Sequence, residues 1–164
     1  MAIKEFEFYH GAVLTRILRK DIPLTLTLIE TNTLESWSAY KISDNAKDAI
    51  LYIKYCSAPN VTKKHTRWQY IFNKEHLKEL RKYENDNIYL ALIGIQRNIK
   101  DKPMEICLLR KDEIIDAIDI DSEFQQSFTV FCEPNRKLRV RGTRTNHNEI
   151  KVERNRLDKL GECW

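Results

Sequence analysis

The sequence predicts an α+β fold, a central mixed β-sheet flanked by helices, and three features carry that prediction. A helical stripe opens the chain, apolar segments of strand length fill its middle, and a second amphipathic helix separates two groups of strands. At 164 residues the chain has about the size of one domain, and no repeat, low-complexity stretch or Pro/Gly/Ser linker divides it. Residues 1–164 are therefore read as one unit, a core over about 8–109 and an extension over about 110–164. Hydrophobic residues at 42% and only four each of Gly and Pro exclude a disordered or fibrous chain.

The elements follow in order. Phe8, Ala12, Leu14, Ile17 and Leu18 recur at near-helical spacing, with Arg16, Arg19 and Lys20 near the C-terminal end of the dipole, and Pro23 closes the helix. Leu24–Glu30 alternates Leu with β-branched Thr, as a half-buried strand does. Ser36–Ile42 and Ala49–Tyr55, joined by the polar stretch 43–48, read as a hairpin, and Arg67–Phe72 as a fourth strand. Asn73 offers a cap to a helix whose apolar stripe is Leu77, Leu80 and Tyr83. Asn87–Ile95 is continuously apolar, the mark of a strand covered on both faces, and Met104–Leu109 pairs beside it. A short acidic helix over Asp112–Ile118 precedes a final hairpin, Ser127–Cys132 with Lys137–Arg141, and a last turn at Asn155–Leu160.

Several function classes fall away. No apolar run approaches the roughly 20 residues that cross a bilayer, and the first residues lack a secretory pattern, so the expected compartment is the cytoplasm. Cys56, Cys107, Cys132 and Cys163 lie far apart, without metal-finger spacing, and are expected as reduced thiols. His10, His65, His76 and His147 stand apart from Cys or Ser partners, which gives no metal cluster or catalytic triad. Gly11, Gly94, Gly142 and Gly161 are isolated, so no phosphate-binding glycine loop exists.

Charge is unevenly spread. Asp101–Ser127 holds three Lys or Arg against eight acids, whereas Glu133–Trp164 holds nine against five. Two basic segments point to nucleic acid. Lys63, Lys64 and Arg67, beside His65 and Trp68, can meet phosphates while the indole stacks on a base. In the run Arg136, Lys137, Arg139, Arg141 and Arg144, the i, i+2 spacing of Arg139 and Arg141 sends both from one strand face, with Leu138 and Val140 on the other.

The order helix, three or four strands, helix, apolar strand, further strand over Phe8–Leu109 resembles the core of the PD-(D/E)xK nuclease superfamily, a restriction-endonuclease-like fold. In that family the second strand presents an Asp, the third carries Glu-x-Lys, and the following helix packs on the sheet beside an apolar strand. Here the third strand reads Tyr52-Ile53-Lys54, with Tyr52 in place of the Glu, and the Asp position falls near Ser38. The resemblance thus implies a nuclease-like nucleic-acid-binding domain with a degenerate site, in prokaryotic defence or DNA processing. An active Mg²⁺-dependent endonuclease would need Lys54 joined by migrated carboxylates, Glu30 and Glu35 as metal ligands or Glu7 from the first helix, because Mg²⁺ demands oxygen donors. A third expectation is a protein-interaction module, in which Asp112–Glu123 meets a basic partner.

Overall fold

The computed structural model describes residues 1–20, 23–32, 37–96, 104–145 and 148–161. In chain order it contains α1 (Glu5–Leu18), β1 (Thr25–Asn32), β2 (Trp37–Ser43), β3 (Asp48–Cys56), β4 (Asn60–Val61), β5 (Thr66–Phe72) and α2 (Lys74–Arg81). There follow β6 (Ile88–Gly94), β7 (Glu105–Arg110), α3 (Lys111–Ala117), β8 (Gln126–Cys132), β9 (Leu138–Gly142), β10 (Ile150–Val152) and a closing 3₁₀ turn, Arg156–Lys159.

The α+β class is as the sequence predicts, but the strands divide between two five-stranded sheets. The central sheet runs β1-β2-β3-β6-β7 and the second β10-β9-β8-β5-β4. The central sheet is mixed: β1, β2 and β3 alternate direction, β6 lies parallel to β3, and β7 returns antiparallel. A parallel pair needs a crossover. Here β4, β5 and α2 supply it. The second sheet is antiparallel throughout.

Both faces of the central sheet are covered. On one, Tyr9, Val13 and Ile17 of α1, with Leu157 and Leu160, pack on Leu51, Ile53, Ala91, Ile93 and Leu108. On the other, Trp68, Phe72, Phe128, Val130 and Val140 of the second sheet, with Leu77 of α2 and Ile114 of α3, pack on Tyr52, Leu90 and Leu92. Burial on both sides accounts for the unbroken apolar run of β6, which is buried at every position.

The expected strand Arg67–Phe72 leaves the central sheet and pairs with β8 instead. Its alternation of buried and exposed residues marks a strand covered on one face only. The C-terminal hairpin β8–β9 forms as expected. It completes the second sheet, so residues on both sides of position 110 share one core. In α1 the buried face is Tyr9, His10, Val13 and Ile17, while Phe8 and Leu18 are more than half exposed. Of the sequence stripe, Ile17 is buried and Leu14 packs against the same core, whereas Phe8 and Leu18 turn outward. α2 begins where Asn73 predicts: the Asn73 carboxamide oxygen accepts from the His76 amide at 3.0 Å, and the Asn73 amide donates to the His76 ring at 3.2 Å.

The closing turn is tied down by charge. The Arg16 guanidinium donates twice to Asp158, at 2.6 and 2.7 Å, and Arg156 donates to Glu113 at 2.5 Å and to the Leu108 carbonyl at 3.1 Å. Arg154 pairs with Glu105 of β7. Cys56, Cys107 and Cys132 carry free thiols, and burial pushes that of Cys132 up to about 11 and that of Cys107 higher still. No helix among the described residues is long and apolar enough to cross a membrane.

Trp68 locks the two sheets together. Its ring is buried, and its indole N–H donates to the Ile95 carbonyl at 2.9 Å. A Cβ on Gly94 of β6 would lie 2.5 Å from that ring, so only glycine admits the indole. Gly94→Ala is expected to cost about 2 kcal/mol through overpacking, read as a lower urea midpoint with an unchanged m-value. A midpoint equal to wild type would show that the ring does not depend on this close approach.

Candidate nucleic-acid interface

Two places answer to the residues singled out by the sequence. The first is the nuclease-like position on β3. Tyr52 and Lys54 point from β3 towards the second sheet, and their neighbours on β2 across the ladder are Ala39 and Trp37. The Trp37 and Tyr52 rings stack at 5.1 Å and 13°, both buried. Lys54 is itself buried, its ammonium 5.3 Å from the centre of the Phe72 ring. Ser38, at the expected Asp position, faces α1 instead, where its hydroxyl meets the His10 ring at 3.1 Å and the Thr31 hydroxyl at 2.7 Å.

Glu30 pairs with Ala39 in the ladder and so shares the face of Tyr52, but its carboxylate contacts Lys82, beyond α2, at 3.5 Å. Glu7 caps α1 by accepting from the Lys4 amide at 2.7 Å. Glu35 lies outside the described residues. Among the described residues no three His, Cys, Asp or Glu come together as a metal set. The described side chains around Lys54 do not fit Mg²⁺: its ladder neighbour is an indole, the Glu position holds a stacked phenol, and the Asp position holds Ser38, which faces α1.

The second place is the outer face of the second sheet. In β5, β8 and β9 the inward residues are Trp68, Tyr70, Phe128, Val130, Leu138 and Val140. Strand alternation sends their neighbours outward. The register then aligns Lys151, Arg139, Phe131, Arg67 and Asn60 in a row across all five strands. A second row sets Arg141 beside Thr129 and Gln69. Neighbouring strands lie about 4.8 Å apart, so the row from Lys151 to Arg67 spans about 14 Å.

Phe131 sits at the centre of this face, its ring buried beneath the side chains of Arg139, Arg141 and His65. Arg139 and Arg141 each place a guanidinium 5.1 Å from its centroid, and the His65 ring meets it edge-on at 5.3 Å. Two carboxylates hold the arginines: Glu149 accepts from Arg139 at 2.9 Å and from Arg141 at 2.8 Å, and Glu133 accepts from Arg139 at 2.6 Å. Lys63 and Lys64 extend the face from the exposed turn before β5, which the Thr62 hydroxyl braces by accepting from the His65 amide at 3.1 Å. Arg136 and Lys137, in the turn between β8 and β9, line an open depression of about 520 Å³ with Arg139, Glu149 and Lys151.

The structure thus gathers Lys63, Lys64, Arg67, Arg136, Lys137, Arg139 and Arg141 on or beside one face. Trp68 is corrected: it turns inward with its indole buried, because the strand that exposes Arg67 must bury its neighbour. Arg144 also departs, its guanidinium donating to the Ile115 carbonyl at 3.3 Å beside α3. Sequence reasoning missed Phe131 and Lys151. Phe131 alternates out of phase with Phe128 and Val130, which places it on the outer side of the strand, where the side chains of Arg139, Arg141 and His65 bury it.

Burial raises the pKa of Glu149, but hydrogen bonds from Arg139 and Arg141 outweigh it and hold the carboxyl below its ordinary range. A carboxyl depressed on folding stabilises the protein above its unfolded pKa of about 4.3, and that stability is lost as pH falls through the lower folded value. Glu149→Gln is therefore expected to lower stability by about 1 kcal/mol at neutral pH, with the gap to wild type closing below about pH 4. Thermal melts across pH check this, and a gap that persists into acid would remove the ion pairs as its cause.

Compared with family models, curated proteins and solved structures, the chain matches none of them.

Proposed function

We propose that this protein binds nucleic acid without cleaving it, through the outer face of its second sheet, on a scaffold of nuclease-like element order. The observation that carries the reading is the convergence of cations from three separate stretches of the chain, 63–67, 136–141 and 151. The face and its bordering turns hold eight Lys and Arg, at 63, 64, 67, 136, 137, 139, 141 and 151, against the three acids Glu133, Glu149 and Glu153. Among the described residues Lys63, Lys64, Arg67 and Lys151 enter no ion pair, so their charge is available to phosphates.

Two features of the central sheet support the nuclease-like part. The helix α2, which follows β5, packs Leu77 and Leu80 into the core between the sheets, and the apolar strand β6 lies directly beside β3. The reading without cleavage draws on the described residues beside Lys54, where the stacked Trp37 and Tyr52 rings stand next to it and Tyr52 takes the Glu position. In the acidic segment Asp112–Glu123, Ile114 of α3 is buried in the core between the sheets and Glu123 pairs with Lys74 of α2.

Labelled DNA and RNA in a salt series, with Mg²⁺ or EDTA, test the reading. The expected result is binding that weakens steeply with salt, is the same in either buffer and leaves the strand intact. Arg67→Glu is expected to flatten the salt slope by about one unit. Lys54→Met, which keeps the buried stem, is expected to leave binding unchanged. Metal-dependent cleavage lost in Lys54→Met would instead establish an active nuclease.

A further inference from the structure

We infer that the basic face takes single-stranded rather than duplex nucleic acid, with the Phe131, Arg139 and Arg141 stack as its base platform. This rests on the nucleic-acid reading above and adds the class of ligand. Three observations carry it.

The face is an open sheet surface. The buried residues of α2 and α3 belong to the core between the sheets, and those of α1 to the far side of the central sheet. No described helix therefore stands on the outer face to enter a major groove, and a sheet laid flat against a B-form cylinder meets few phosphates at once. A flexible single strand can follow the surface and meet them in turn.

The cations and the ring system are interleaved. Along the cross-strand row the order is Lys151, Arg139, Phe131, Arg67, Asn60, so charge lies on both sides of an aromatic. Single-strand sites combine cations that track phosphates with flat surfaces on which unpaired bases stack, and here the buried Phe131 ring supports from beneath an outer layer made of the Arg141 guanidinium and the His65 ring. In a duplex the bases are already stacked on one another, and the platform has nothing to receive.

The guanidinium groups are held in place before any ligand arrives. Phe131 backs both, and Glu149 and Glu133 accept from their edges. Arg141 remains about half exposed, so its outer surface is free for a base. His65, edge-on to the same ring, widens the platform towards Lys63 and Lys64. The carboxylate of Glu149 also occupies the edges that a phosphate would use, which makes it an internal competitor.

The test is fluorescence anisotropy with a labelled single strand of about 12 nucleotides, as DNA and as RNA, against the blunt duplex of the same sequence. The single strand is expected to bind at least ~10-fold more tightly than the duplex, and the two single-stranded arms decide between DNA and RNA. Phe131→Leu, which keeps every charge, is expected to weaken single-strand binding about 10-fold while leaving the salt slope and duplex binding unchanged. Arg67→Ala, at an exposed position that does not disturb folding, is expected to weaken single-strand binding about 3-fold or more and serves if Phe131→Leu fails to fold. Duplex bound as tightly as single strand, or a Phe131→Leu loss shared by both, would overturn the single-strand inference and leave nucleic-acid binding standing. Binding of no probe, by wild type or by Glu149→Gln with its arginines released, would overturn nucleic-acid binding itself.

Discussion

The indole of Trp68 is the contact on which the second sheet depends. It fills the space between the sheets, meets Gly94 where no side chain could stand, and donates its one N–H to the Ile95 carbonyl at the end of β6. With Trp68 fixed inward, strand alternation leaves Arg67 and Gln69 no choice but to face outward. The same holds for β9, where burial of Leu138 and Val140 obliges Arg139 and Arg141 to emerge. The basic face is thus the reverse side of the core, and it owes its alignment to the register of β8 between β5 and β9.

The region around Lys54 shows the opposite balance. A metal-dependent site has to keep carboxylates and water in an otherwise dry sheet, at a cost in desolvation. Here Trp37 stacks on Tyr52, and the methyl of Ala39 lies beside them, so that space stabilises the fold by apolar burial. Lys54 keeps its place in the strand but works against the Phe72 ring.

Much of this was legible in the sequence. The unbroken apolar run of β6, the alternation of Leu and Thr in β1 and the Asn73 cap of α2 each announce a local element, because each depends only on near neighbours. Local pairings were legible too, as β2 with β3, β6 with β7 and β8 with β9 show, but the distant partner of β5 was not. The one-sided pattern of β5 states that one face is covered but not by what, and its partner lies about sixty residues further along the chain. β4 and β10 are two and three residues long, too short for a period to develop. At the candidate interface, the i, i+2 spacing of Arg139 and Arg141 was visible, whereas the role of Trp68 hinged on a choice of face that only the tertiary partner decides. The carboxylates of Glu133 and Glu149 that hold the arginines come from loops, where no period guides the reader.

The pairing of β5 with β8 has a consequence for how the chain is made. When β5 leaves the ribosome its inner face carries Trp68, Tyr70 and Phe72, and its partner strand is still to be synthesised. Until β8 arrives the nascent protein presents an aromatic strand with an unpaired edge, the kind of surface that adheres to other chains. The exposed Lys63, Lys64 and Arg67 then act as like-charged gatekeepers that hold such chains apart during synthesis. The ion pairs of Arg154 with Glu105 and Arg156 with Glu113 form later still, once those arginines follow β10 out of the ribosome.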